Sequence, residues 1–72
     1  MPRTLPEQLD QVERDIRMYI QFDQEEKDRF NRESYLWTAE DRIEWQETQS
    51  NNAQRLRELR EERDNLRSRL GR

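Results

Sequence analysis

Residues 30–45 read FNRESYLWTAEDRIEW and contain both tryptophans of the chain. Within this stretch Thr38 is followed three residues later by Asp41, which is the spacing of a capping pair at the start of a helix. Apolar residues lie at helical spacing on both sides of the stretch. The stretch therefore predicts a turn, at about residues 34–38, between two helices.

The sequence on the two sides of this turn is arranged as a mirror image about a point between Trp37 and Thr38. Two polar segments of equal length, 23–29 and 46–52, lie at matching distances from that point. Apolar residues match in the same way, since their position numbers sum to 75, as for Phe30 and Trp45. This pattern is expected when residue i of one helix packs near residue 75 minus i of an antiparallel second helix.

A narrow apolar seam runs through each half of the chain. Its residues are separated by alternating steps of three and four, which is the heptad spacing of a coiled coil. The seam consists of Leu5, Leu9, Val12, Ile16 and Tyr19 in the first half and Leu56, Leu59, Leu66 and Leu70 in the second. The mirror fails within the seam where Val12 matches Arg63.

We therefore predict an all-α, coiled-coil-like antiparallel helical hairpin that forms a single domain over residues 1–72. The first helix is predicted at about 5–33 and the second at about 39–70. One alternative is a single long helix that pairs antiparallel with a second copy, which is the domain-swapped form of the same packing. Another is a break in the second helix at 50–52, because Ser and Asn favour helix ends.

Start and stop signals fit the predicted helices. Thr4 precedes the first helix, and Glu7 stands three residues later, as in a capping box. Gly71 is placed to follow the end of the second helix, where a left-handed residue is common.

The composition predicts that one chain cannot bury a large core. Of 72 residues, 29% are hydrophobic and 43% are charged. Two helices with one narrow seam barely offset the conformational entropy that folding costs. We therefore expect a second copy or another protein to complete the core, most simply as a homodimeric four-helix bundle.

Several classes of function are excluded by what the sequence lacks. The chain has no histidine and no cysteine, so it lacks the commonest general base, thiolate ligands and disulfides. No nucleophile–base pair and no phosphate-binding loop is present. We predict a non-enzymatic protein with no cofactor, no metal and no small-molecule substrate.

The sequence also predicts where the protein acts. No apolar run is long enough to span a membrane, and Met1 is not followed by the apolar stretch of a secretion signal. We expect a cytoplasmic protein or, more broadly, an intracellular or virion protein.

Apolar side chains around the turn form the candidate protein-docking surface. Trp and Tyr rimmed by charge are typical of docking sites. The alternative interpretation is that the rings close the end of the hairpin. The candidate residues are Phe30, Tyr35, Leu36, Trp37, Ile43 and Trp45.

A predicted polar layer interrupts the seams at Asp23, Glu26, Gln49 and Asn52. Carboxylates facing amides can fix the register and the number of partners, as a buried Asn does in coiled coils. In a dimer the carboxylates would come together, but metal sites in helical bundles normally add histidine. We therefore interpret the layer either as solvated or as setting the register.

Charge is distributed unevenly along the chain. Residues 21–48 hold nine acidic and four basic residues, whereas 55–72 hold seven arginines and four acidic residues. Arg60, Arg63 and Arg67 share one helical face, which would suit phosphate contacts. The alternative is that these arginines pair with neighbouring acidic side chains. The net charge of −3 disfavours general nucleic-acid binding.

The leading hypothesis is a structural or adaptor protein that self-associates and docks onto another protein. A virion assembly or accessory component is one such setting. The alternative is a small nucleic-acid-binding regulator that uses its arginine-rich second helix.

Overall fold

Two long helices pack against each other in the computed structural model, which describes residues 3–71. Helix α1 is Leu5–Glu33 and helix α2 is Ala39–Arg69, with a single 3₁₀ turn at Ser34–Leu36 between them. The molecule measures 49 × 24 × 16 Å, so its length is that of one helix. The predicted all-α helical hairpin is therefore confirmed. Residues 1, 2 and 72 of the predicted domain lie outside the described residues.

The chain reverses direction at the predicted turn rather than continuing as one helix. Helix α2 is also unbroken at residues 50–52, so the predicted alternative of a break there is wrong. Intrahelical hydrogen bonds on both sides hold these three residues in the helix, and their low helix propensity is overridden.

The turn forms without glycine. After the 3₁₀ segment, Trp37 and Thr38 adopt extended backbone conformations, with ψ of 147° and 167°. Two extended residues redirect the chain while every φ in the turn stays negative. Arg42 closes the turn, because its guanidinium donates a hydrogen bond of 2.9 Å to the Ser34 carbonyl oxygen. The same carbonyl also accepts a hydrogen bond of 3.1 Å from the Trp37 N–H, so Arg42 adds a second donor at the end of α1.

The helix ends are capped by side chains and by glycine. The Asp41 N–H donates to Thr38 Oγ1 at 3.1 Å, and the Thr38 N–H donates to Asp41 Oδ2 at 3.2 Å, which completes a capping box. At α1 the Glu7 N–H donates to Thr4 Oγ1 at 3.4 Å. Gly71 follows α2 with a φ of 72°, a conformation that suits glycine.

We predict that Thr38→Ala destabilises the hairpin by about 0.5–2 kcal/mol, because it leaves the Asp41 N–H without its acceptor. Thermal unfolding followed by circular dichroism measures the change. Thr48→Ala is the matched control, since Thr48 is exposed inside α2, where alanine is a better helix former. Equal melting temperatures for the two variants would contradict the role of the capping box.

The hydrophobic core occupies the half of the hairpin that is remote from the turn. It consists of the buried side chains Leu9, Val12, Ile16, Leu59 and Leu66. The other four seam residues, Leu5, Tyr19, Leu56 and Leu70, are partly buried and pack against it. None of the described residues between 17 and 58 is buried. The half of the hairpin that carries the turn is therefore held by other contacts.

Candidate protein-docking surface

Three aromatic rings pack together directly beneath the turn. Phe30 of α1 stacks on Trp45 of α2 with ring centroids 4.4 Å apart. Trp37 meets the edge of Phe30 at 5.7 Å and lies 6.3 Å from Trp45. The Arg29 guanidinium lies 5.2 Å from the centre of the Trp37 ring, a distance typical of a cation–π contact. We call Phe30, Trp37 and Trp45 the aromatic plug.

The remaining apolar residues of the candidate surface are exposed. Tyr35 is 76% exposed and Leu36 is 71% exposed, and both belong to the 3₁₀ turn at the tip of the hairpin. Ile43 is also exposed, in the first turns of α2. The six predicted residues therefore divide into an aromatic plug that closes the hairpin and three side chains that remain open to solvent.

An acidic groove of about 400 Å³ opens beside the aromatic plug. Phe22, Trp37 and Trp45 supply its aromatic surface, and carboxylates outnumber guanidinium groups along its rim. The rim and lining consist of Glu26, Arg29, Asp41, Glu44 and Thr48. Sequence reasoning missed this groove, because Phe22 lies outside the seam.

The four polar-layer residues are all half-buried, but their amides do not bond to the carboxylates as the pattern suggests. Lys27 instead pairs with Asp23 at 3.0 Å, and Arg29 pairs with Glu26 at 3.5 Å, both within α1. Gln49 Nε2 and Asn52 Nδ2 are buried with no acceptor within hydrogen-bond distance among residues 3–71. The same is true of Trp45 Nε1. A row of unpaired donors thus runs along the inner face of α2.

The described residues also form a second, basic groove, of about 230 Å³, in the half remote from the turn. We call it the arginine groove, and it is lined by Glu13, Ile16, Arg17, Arg63 and Arg67. Arg67 reaches across from α2 to Glu13 of α1 at 3.1 Å, and Arg63 pairs with Asp64 at 3.2 Å. Of the three arginines predicted to share a face, Arg63 and Arg67 line this groove, whereas Arg60 is exposed outside it.

No family model matches the chain, and comparison with curated proteins and with solved structures gives no match either.

Over residues 3–71, no three acidic side chains come close enough to hold a metal ion. In the same range, neither helix is sufficiently long and apolar to cross a membrane. The candidate site must therefore be interpreted from its own geometry.

Proposed function

We propose that this protein is a non-enzymatic helical adaptor that self-associates and docks onto another protein through the tip of the hairpin. The observation that carries the proposal is the exposure of Tyr35 and Leu36 on a turn that the aromatic plug and the capping box hold in place. Large apolar side chains cost free energy when they face water, and an exposed pair at a protrusion is typical of a docking site.

The aromatic plug supports this function by fixing the tip in one conformation. The capping box and the bond from Arg42 to the Ser34 carbonyl hold the tip from the side of α2. A surface that is ordered before it binds loses less conformational entropy on binding. Tyr35 and Leu36 are therefore presented as preorganised anchors.

The proposed setting is inside the cell or in a virus particle, where a short charged helical chain can complete its core on a larger partner. Because the sequence contains no cysteine, its fold does not depend on an oxidising compartment. Virion assembly is one process that would use such an adaptor.

Affinity capture from the native source tests the docking surface with the double variant Tyr35→Ser/Leu36→Ser. We expect at least one protein to be retained by the wild type and lost by this variant, because both anchors are removed while the plug remains. Met18→Ser is the matched control, since Met18 is 61% exposed but lies away from the tip. An identical set of captured proteins for all three chains would contradict docking through the tip.

Tyr35 and Leu36 are better test positions than Trp37. Trp37 contacts Phe30 and Arg29, so its replacement by alanine would also disturb the turn. If Trp37→Ala lost binding, the loss would reflect both the missing contact with the partner and the disturbed turn, and the two causes could not be separated.

A further inference from the structure

We infer that the face of one copy that carries the acidic groove packs against the face of a second copy that carries the arginine groove. The inference rests on the self-association in the proposed function and names the surfaces that carry it. Its first support is charge. The acidic groove carries Glu26, Asp41 and Glu44 against Arg29, whereas the arginine groove carries three guanidinium groups against Glu13. The two grooves therefore have equal and opposite net charges.

The second support is that each groove contains one charged side chain that makes neither an ion pair nor a side-chain hydrogen bond within residues 3–71. Glu26 and Asp41 are already engaged, with Arg29 and with the Thr38 N–H. Arg63 and Arg67 are paired with Asp64 and Glu13. Among residues 3–71, Glu44 and Arg17 have no opposite charge within ion-pair distance. These two side chains are the best placed to pair between copies.

The third support is the distribution of apolar surface. Phe22, Trp37 and Trp45 line the acidic groove, and Phe22 is 40% exposed. The buried core ends before the acidic groove begins. A second copy seated there would bury aromatic surface in the half of the hairpin that lacks a core of its own, which favours association.

The position of the two grooves determines the kind of assembly. At about 100° per residue, Phe22 and Arg29 lie on one edge of the inner face of α1, and Glu13 and Arg17 lie on the opposite edge. Because the two grooves lie on opposite edges, one copy cannot place both of them against the same partner, and the contact is heterologous. Such a contact continues from copy to copy or closes into a ring, whereas in a two-fold dimer each copy would present both of its grooves to the same partner.

Sedimentation equilibrium over a range of concentrations tests the inference with Glu44→Arg and Arg17→Glu. We expect the wild type to exceed the monomer mass of 9.1 kDa as concentration rises. Each single variant should associate at least about tenfold more weakly, because like charges then face each other. A mixture of the two variants, and the double variant with both charges exchanged, should recover association. High salt should weaken the wild-type contact.

Two matched controls separate this contact from general charge effects. Glu47→Arg and Arg57→Glu make the same changes at exposed positions of α2 that line neither groove, and should associate like the wild type. Circular dichroism establishes that each variant is folded.

The outcomes distinguish the groove contact from self-association in general. If the wild type associates and the groove variants associate equally well, the groove contact is overturned, but self-association is still supported. A wild type that stays monomeric at every concentration overturns both, and docking through the tip is then judged by the capture experiment.

Discussion

The Leu59→Ala variant should lose most of its helical circular dichroism under conditions in which the wild type is folded. Leu59 is 1% exposed and belongs to a core of five buried side chains. Truncation of a buried leucine to alanine typically costs about 2–5 kcal/mol. A core of this size supplies no more than about 3–5 kcal/mol of net stability, so one substitution removes most or all of it.

Leu36→Ala is the control for this prediction, because it makes the same chemical change at a side chain that is 71% exposed. We expect it to alter the free energy of unfolding by less than about 0.5 kcal/mol. Urea titration of both variants, followed at the helical circular dichroism band, gives the comparison. A Leu59→Ala variant that unfolds within the same range of urea as Leu36→Ala would show that the seam does not hold the hairpin together.

The hairpin could be predicted from the sequence because its signals are local and agree with one another. Heptad spacing locates the seams, and the stacking of Phe30 on Trp45 follows the mirror rule, since 30 and 45 sum to 75. Thr38 with Asp41 locates the start of α2. Each of these signals acts within a few residues or through a fixed helical period, so the three-dimensional context changes them little.

The details of the candidate surface could not be predicted, because they depend on the turn. Residues 35, 36 and 37 are neighbours in sequence, yet the side chains of Tyr35 and Leu36 face solvent while Trp37 packs against Phe30. This division follows from the 3₁₀ segment and the extended conformation of Trp37. Neither conformation has a signature in the composition of the turn, which lacks glycine and proline.

The arginine groove illustrates a second limit of sequence reasoning. Helical spacing correctly places Arg63 and Arg67 on one face of α2, but the groove also needs Arg17 and Glu13 from α1. The pair between Arg67 and Glu13 joins residues 54 positions apart. A search for pairs at helical spacing finds Arg55 with Glu58 and cannot find this one.

We expect Gln49→Leu and Asn52→Leu to stabilise the hairpin, although both replace a polar residue in its middle. Their amide nitrogens are buried and have no acceptor among the described residues. An unsatisfied buried donor costs about 1–3 kcal/mol, and leucine removes that cost. It also favours the helix more than Asn does. Each substitution should raise the free energy of unfolding by about 1–3 kcal/mol, as measured by thermal and urea denaturation.

The carboxylates of the polar layer should tolerate these substitutions. Asp23 and Glu26 have their own cations within α1, at 3.0 and 3.5 Å, so removal of the amides leaves neither acid unpaired. Gln46→Leu is the control, since Gln46 is exposed on α2 and its replacement should change the free energy of unfolding by less than about 0.5 kcal/mol. If Gln49→Leu or Asn52→Leu melts below the wild type, the amides must contribute hydrogen bonds that outweigh the gain in burial.

The same two variants test whether the polar layer fixes the register. A buried polar residue in a coiled coil limits the number of chains and their alignment, and it does so at a cost in stability. With leucine at positions 49 and 52, the seam of α2 becomes continuous with Leu56 and Leu59 and can pair in more than one alignment. We therefore expect the double variant to melt at a higher temperature and to sediment as a broader mixture of masses than the wild type. If the double variant gains stability and keeps the wild-type distribution of masses, the polar layer does not determine the register.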